Sequence, residues 1–96
     1  MPLAIVYTDT YPITLTATIK QIEEGFGTTV ADKFLERLDE IVSKISVDPQ
    51  LYQALPVDDR HRRAVISRQS SLVYETTPTK IILLYIFDNR QEPFWA

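Results

Sequence analysis

Ile13-Thr14-Leu15-Thr16-Ala17-Thr18-Ile19 can be read in two ways, and the fold turns on the choice. Taken alone, the stretch alternates apolar and polar residues and is rich in β-branched side chains, which suits a strand. Carried on to Phe26, it sets Leu15, Ile19, Ile22 and Phe26 on one stripe at helical spacing. Lys20, Gln21, Glu23 and Glu24 fall off that stripe. The longer pattern favours a helix from about Tyr11 to Glu24, with Asp9 and Thr10 ahead of Pro12 as a start signal. A strand over 13–19 would remove the helical hairpin. Gly25 and Gly27, the only glycines in the chain, are placed to end the helix.

Working outward, Leu3 to Tyr7 reads as a first strand. On the other side a second helix is capped by Thr28 or Thr29, with Asp32 placed to complete a capping box from Thr29. Ala31, Phe34, Leu35, Leu38, Ile41, Val42 and Ile45 give it one apolar face. Lys33–Arg37 and Glu36–Glu40 are like-charge neighbours one turn apart on the polar face. Two helices joined by a two- or three-residue glycine turn pack antiparallel. Ser46 to Arg60 reads as a connecting loop, with Pro56-Val57-Asp58-Asp59 as a turn. Three strands follow, at Arg62–Arg68, Ser71–Thr76 and Lys80–Phe87, turned at Gln69-Ser70 and Thr77-Pro78-Thr79. The last is apolar on both faces and belongs inside the sheet. The order is β-α-α-β-β-β: an α+β fold with a helical hairpin on a mainly antiparallel four-stranded sheet.

Ninety-six residues suit a single domain, 1–96, with one core. There is no cysteine, which excludes disulfides and thiolate metal sites and leaves packing to hold the fold. No apolar run spans a bilayer and no signal-peptide pattern opens the chain, so a cytoplasmic protein with no membrane partner is expected. The net charge of −3 argues against non-specific binding along a polyanion. The charge is nonetheless uneven, with Arg60, His61, Arg62, Arg63 and Arg68 inside nine positions.

Arg62, Arg63 and Arg68 are candidates for a basic ridge on the sheet, with Arg62 and Arg68 on one face and Arg63 opposite. The structural alternative is protection of an edge strand by charge. Arg90 can grip a phosphate or an acidic surface, or pair with Asp88 to hold the turn after the last strand. Tyr74 and Tyr85 fit a packed sheet. His61 has no visible partner, and Phe94 and Trp95 form an apolar tail that hints at an interface. No phosphate loop, dinucleotide fingerprint or metal-ligand spacing is present, and no cofactor is expected.

From Phe26 onward the chain resembles the ParE/RelE superfamily of small bacterial toxins from type II toxin–antitoxin operons. The resemblance is carried by Gly25-Phe26-Gly27, by Ala31-Asp32-Lys33-Phe34 and by Asp48-Pro49. It continues in Arg62-Arg63-Ala64-Val65-Ile66-Ser67-Arg68, Ser71-Leu72-Val73-Tyr74 and Ile81 to Phe87. Phe87-Asp88-Asn89-Arg90-Gln91-Glu92-Pro93 is similar to the ending of the ParE-like, plasmid stabilisation branch. The resemblance implies a growth-inhibiting toxin with a cognate antitoxin protein as partner, and Arg62, Arg63, Arg68 and Arg90 as candidates for contacting target or antitoxin. RelE-like members cleave messenger RNA on the ribosome; ParE-like members inhibit DNA gyrase without hydrolysis. In the first case Arg68 and Arg90 are the catalytic candidates. RelE-like nucleases carry an arginine before the Leu-Val-Tyr of the third strand, where this chain has Ser71. They also tend to be strongly basic, with a His or Tyr near the C-terminus, where this chain has Pro93-Phe94-Trp95-Ala96. These departures favour the ParE-like, non-hydrolytic reading. A non-toxic binding member of the same fold is the third possibility.

Overall fold

In the computed structural model, which describes residues 2–91, the stretch 13–19 is helical. The elements run β1 (Ala4–Tyr7), α1 (Thr10–Phe26), α2 (Thr28–Val47), β2 (Gln53–Leu55), β3 (Asp58–Val65), β4 (Ser70–Thr76) and β5 (Lys80–Asp88). The threonines that make 13–19 look strand-like are served inside α1. Thr14 Oγ1 donates to the carbonyls of Thr10 and Tyr11 at 3.0 and 3.1 Å, and Thr18 Oγ1 donates to Thr14 at 2.8 Å. Leu15, Ile19 and Ile22 pack against the core, whereas Ile13, which shares the alternation with Leu15 and Ile19 but lies off the helical stripe, is exposed. The helical stripe wins because it is the one that reaches the sheet.

A single residue, Gly27, joins the helices, a shorter link than the expected two or three. It has φ +90°, a conformation that disfavours side chains with a Cβ, while Gly25 stays within the last turn of α1. The Thr29–Asp32 capping box does not form. Gly27 occupies the cap position, which puts Thr29 inside the helix, and no side chain caps α2. Five residues of α2 are buried: Ala31, Phe34, Leu38, Ile41 and Ile45.

The sheet has five strands in the order β1-β5-β4-β3-β2. β1 runs parallel to β5, and the other pairs are antiparallel. The additional strand, β2, lies within the segment expected to be loop. Its Gln-Ala-Leu sequence has no β-branched or aromatic residue to mark it, and it is held by a tight hairpin through Pro56-Val57. β3 begins at Asp58 and ends at Val65, earlier at both ends than the sequence suggests. Arg68 therefore lies in the β3–β4 turn rather than on a strand face.

The helices cover one face of the sheet, where Phe34, Leu38, Ile41 and Ile45 meet Ala64, Ile66, Leu72, Tyr74, Ile81, Leu83 and Ile86. α1 is tied to β5 by the Ile86 N–H, which donates to Thr14 Oγ1 at 2.9 Å. A register shift in the β4–β5 pairing puts Tyr74 opposite Leu83 and Val73 opposite Tyr85, leaving Leu84 as the extra residue. The Leu84 carbonyl accepts from Thr8 Oγ1 at 2.6 Å, fastening the end of β1 to the bulge. Leu55 and Val73, with Leu84, Tyr85 and Phe87, form a smaller apolar cluster on the opposite face. No helix among the described residues is long and apolar enough to cross a membrane. Glu92 and Pro93 of the C-terminal motif, and the Phe94–Trp95 tail, lie outside the described residues.

Candidate functional site

Strand alternation parts Arg62 from Arg63. Arg62 shares the helix-covered face with Ala64, and its Nη1 donates to the Tyr52 carbonyl at 2.7 Å. Tyr74 does a similar job beside it, donating its hydroxyl to the Pro49 carbonyl at 3.1 Å. Together they hold the α2–β2 connection against the sheet. Burial pushes the Tyr74 phenol up to about 12, from an ordinary value of 10.0.

Arg63 stands on the open face. Its Nε donates to Ser71 Oγ at 3.0 Å and its Nη2 to Asn89 Oδ1 at 2.8 Å. Ser71, fully buried, donates its hydroxyl to the same Asn89 oxygen at 2.6 Å. The guanidinium carbon lies 6.0 Å from the centre of the Phe87 ring, within cation–π range. Asn89 also gives its Nδ2 to the Ser67 and Arg68 carbonyls and its backbone N–H to Gln69. One side chain thus joins β3, β4, the β3–β4 turn and the exit of β5. Ser71, singled out in the sequence because it is not an arginine, is here the hydroxyl that completes the cluster.

Two residues along β3 on the same face, His61 stands between two carboxylates. Its Nδ1 is 3.5 Å from Asp58 Oδ2 and its Nε2 is 3.5 Å from Glu75 Oε1. The partners missing from the sequence reading are therefore supplied by the hairpin turn and by the β3–β4 register, which pairs His61 with Glu75. Hydrogen bonds from Arg60, above all from its side chain, lower Asp58 to about 2. His61 and Glu75 thus lie side by side across the β3–β4 ladder, with Arg63 two residues along the same face. Tyr85 adds a phenol on this face, raised by burial.

Arg68 and Arg90 belong to a different part of the surface. Arg90 follows β5 and is clamped to Asp88, with Nη2 2.8 Å from Oδ2 and Nε 3.0 Å from Oδ1. Those hydrogen bonds, followed by the Asp88 charge, raise the Arg90 guanidinium and lower the Asp88 carboxyl. Arg68 projects from the β3–β4 turn beside a groove under the helical hairpin. The four arginines thus divide into a covered-face anchor (Arg62), an open-face hub (Arg63) and two turn residues, rather than a single ridge. Among the described residues no group of three or more His, Asp or Glu could hold a metal ion.

No family model matches the chain, and no curated protein matches it by sequence. Solved structures do resemble it. A chain of the chromosomal ParDE toxin–antitoxin system of P. aeruginosa is 18% identical, over 90% of this chain and 95% of that one, with a TM-score of 0.72. A chain of the E. coli DinJ–YafQ toxin–antitoxin complex is 11% identical over 94% and 96%, with a TM-score of 0.69. The Staphylococcus aureus YoeB dimer gives 13% identity over 88% and 94%, with a TM-score of 0.59. The architecture is that of the ParE/RelE-like toxin fold.

Proposed function

We propose that this protein is the toxin of a type II toxin–antitoxin pair. It acts in the cytoplasm, is held inactive by a cognate antitoxin protein, and arrests growth by a ParE-like, non-hydrolytic mechanism with DNA gyrase as target. The observation that carries the non-hydrolytic reading is the Arg63–Ser71–Asn89 cluster. Cleavage of a phosphodiester builds negative charge on phosphoryl oxygens and calls for a cation aimed at them. Here the arginine of the open face spends two donor groups on its own neighbours, and the next position that could carry a cation is Ser71. Likeness to chains of two toxin–antitoxin systems over nine-tenths of the chain or more supports the toxin reading.

The test is inducible expression without antitoxin, with gyrase supercoiling and purified translation assayed in parallel. Growth arrest, inhibited supercoiling and intact messenger are the expected results. Normal growth with folded, soluble protein would remove the toxin reading.

A second reading, a RelE-like nuclease acting on messenger RNA at the ribosome, is favoured by the His61–Glu75 pair. One group would take the 2′-hydroxyl proton and the other would protonate the leaving 5′-oxygen, with Arg63 the cation on that face and Arg68 and Arg90, on a different part of the surface, holding the messenger. This reading expects transcript cleavage that His61→Ala, Arg68→Ala or Arg90→Ala abolishes.

A further inference from the structure

The β2–β3 hairpin forms the far edge of the sheet and leaves the ladder at one residue. β2 pairs with β3 through only Gln53, Ala54 and Leu55, with a register shift between the last two. The β3–β4 pairing begins at His61, opposite Glu75, so Asp58, Asp59 and Arg60 belong to the hairpin. Past that point the Thr76 hydroxyl reaches the Arg60 carbonyl only at 3.4 Å. The His61 ring stands where the hairpin departs, with one nitrogen toward each part. Nδ1 lies 3.5 Å from Asp58 Oδ2 on the hairpin, and Nε2 lies 3.5 Å from Glu75 Oε1 on β4.

The proton on this ring decides how well that placement holds. A neutral imidazole carries a single N–H, so one ring nitrogen always turns a bare lone pair toward a carboxylate oxygen. Nδ1 is cut off from solvent and makes no hydrogen bond among the described residues, so solvent does not relieve the mismatch. An imidazolium has an N–H for each carboxylate and the opposite charge. Asp58 stays ionised over the range in which histidine changes charge, because hydrogen bonds from Arg60, above all from its side chain, lower it to about 2. The opposing cation, Arg60, is exposed and turned onto Asp58 at 3.0 Å, with Asp59 beside it in the chain. Arg63, two residues along, is engaged by Ser71 and Asn89. On this face β2 offers the uncharged Gln53 and Leu55, and β5 offers Ile82 opposite Glu75 and, farther along, the Tyr85 phenol, which burial keeps neutral. The helices lie on the other face.

We propose that His61 is a proton-operated clasp: its imidazolium joins Asp58 of the β2–β3 hairpin to Glu75 of β4, and its neutral form loosens the hairpin from the sheet. The consequence reaches the middle of the open face. Gln53, Ala54, Leu55 and Pro56 of the hairpin, together with Arg63 and Val65, line a hollow of about 310 Å3. Closing the clasp in mild acid fixes the hairpin wall of that hollow, and opening it at higher pH lets the space beside Arg63 change width. The clasp does not depend on the toxin reading.

The experiment follows amide hydrogen exchange by NMR in the isotope-labelled protein from about pH 8 to about pH 5.5, the span over which histidine ordinarily changes charge. His61 is the only histidine in the chain, and the nitrogen shifts of its ring report its protonation directly. Rates are corrected for the intrinsic pH dependence of exchange. The expected result is that protection of the hairpin amides over 53–62 rises about three- to tenfold as the ring gains its proton, with one shared midpoint. His61→Gln, checked for folding by circular dichroism, abolishes the rise, and Glu75→Gln brings it below about threefold. Protection that does not follow the ring overturns the proposal. So does an undiminished rise in either variant. If His61→Gln does not fold, the ring titration and Glu75→Gln decide between the same two outcomes.

Discussion

On the sheet face that the helices cover, Ala64, Leu72, Tyr74 and Ile81 are fully buried and apolar contact does nearly all the work. On the opposite face β3 and β4 present Arg63 and Ser71, which with Asn89 just beyond β5 satisfy one another, and His61 between two carboxylates. The covered face needs residues of the right size and hydrophobicity, and Arg62 Nη1 and the Tyr74 hydroxyl reach backbone carbonyls at its rim. The open face needs particular groups at particular distances. Stability is concentrated on the first and specificity on the second, and substitutions should separate the two.

The largest effect is expected at the covered core. Leu72→Ala leaves a hole among close-packed residues and should cost about 2–5 kcal/mol in urea unfolding. A loss far below that range would mean that the helices do not bury this face as described. Next comes the open-face hub. Asn89→Ala deprives Arg63 and Ser71 of their shared acceptor and should cost about 1–3 kcal/mol. A double-mutant cycle with Arg63→Ala should give strong coupling, and additivity would dissolve the cluster.

Alkaline pH probes Tyr74. The folded state holds the neutral phenol, so its contribution is complete below the unfolded value of 10.0 and is lost as pH climbs through about 12. Roughly 2 kcal/mol should disappear across that window, and Tyr74→Phe should flatten this part of the stability curve. Smallest of all is the exposed Asp88–Arg90 pair. Arg90→Ala should leave the urea midpoint almost unmoved, because a solvated ion pair gains little over two hydrated charges. A marked shift there would give the surface turn a structural weight that its exposure does not suggest.

Much of the covered face could be read from the chain, since Leu15–Ile19–Ile22 and Ala31 to Ile45 declare their apolar sides by spacing alone. The bulge at Leu84 and strand β2 could not. The first is a choice of register between two apolar strands, and the second is three residues with no strand-forming side chain. The open face was legible only in fragments. Ser71 stood out as a departure from the RelE-like pattern, yet its partnership with Arg63 and Asn89 depends on contacts across 8 and 18 positions. His61 and Glu75 meet because β3 ends at Val65 and the chain turns over 66–69, a boundary the basic residues through Arg68 disguised. Pairwise polar geometry of this kind has no periodicity, so no window of sequence displays it.

β1 lies parallel to β5, with Ala4 opposite Lys80 and Tyr7 opposite Leu83. In time rather than space, β1 leaves the ribosome well before β5 and must wait for it before it has anywhere to go. The hairpin and the β2–β4 meander can assemble from nearby pieces, whereas closing β1 onto β5 requires a loop of more than seventy residues. During synthesis the β4 edge stays without its neighbour until β5 arrives. That interval is when the chain is most open to wrong pairing, and when a helper already present in the cell would have the most to grip.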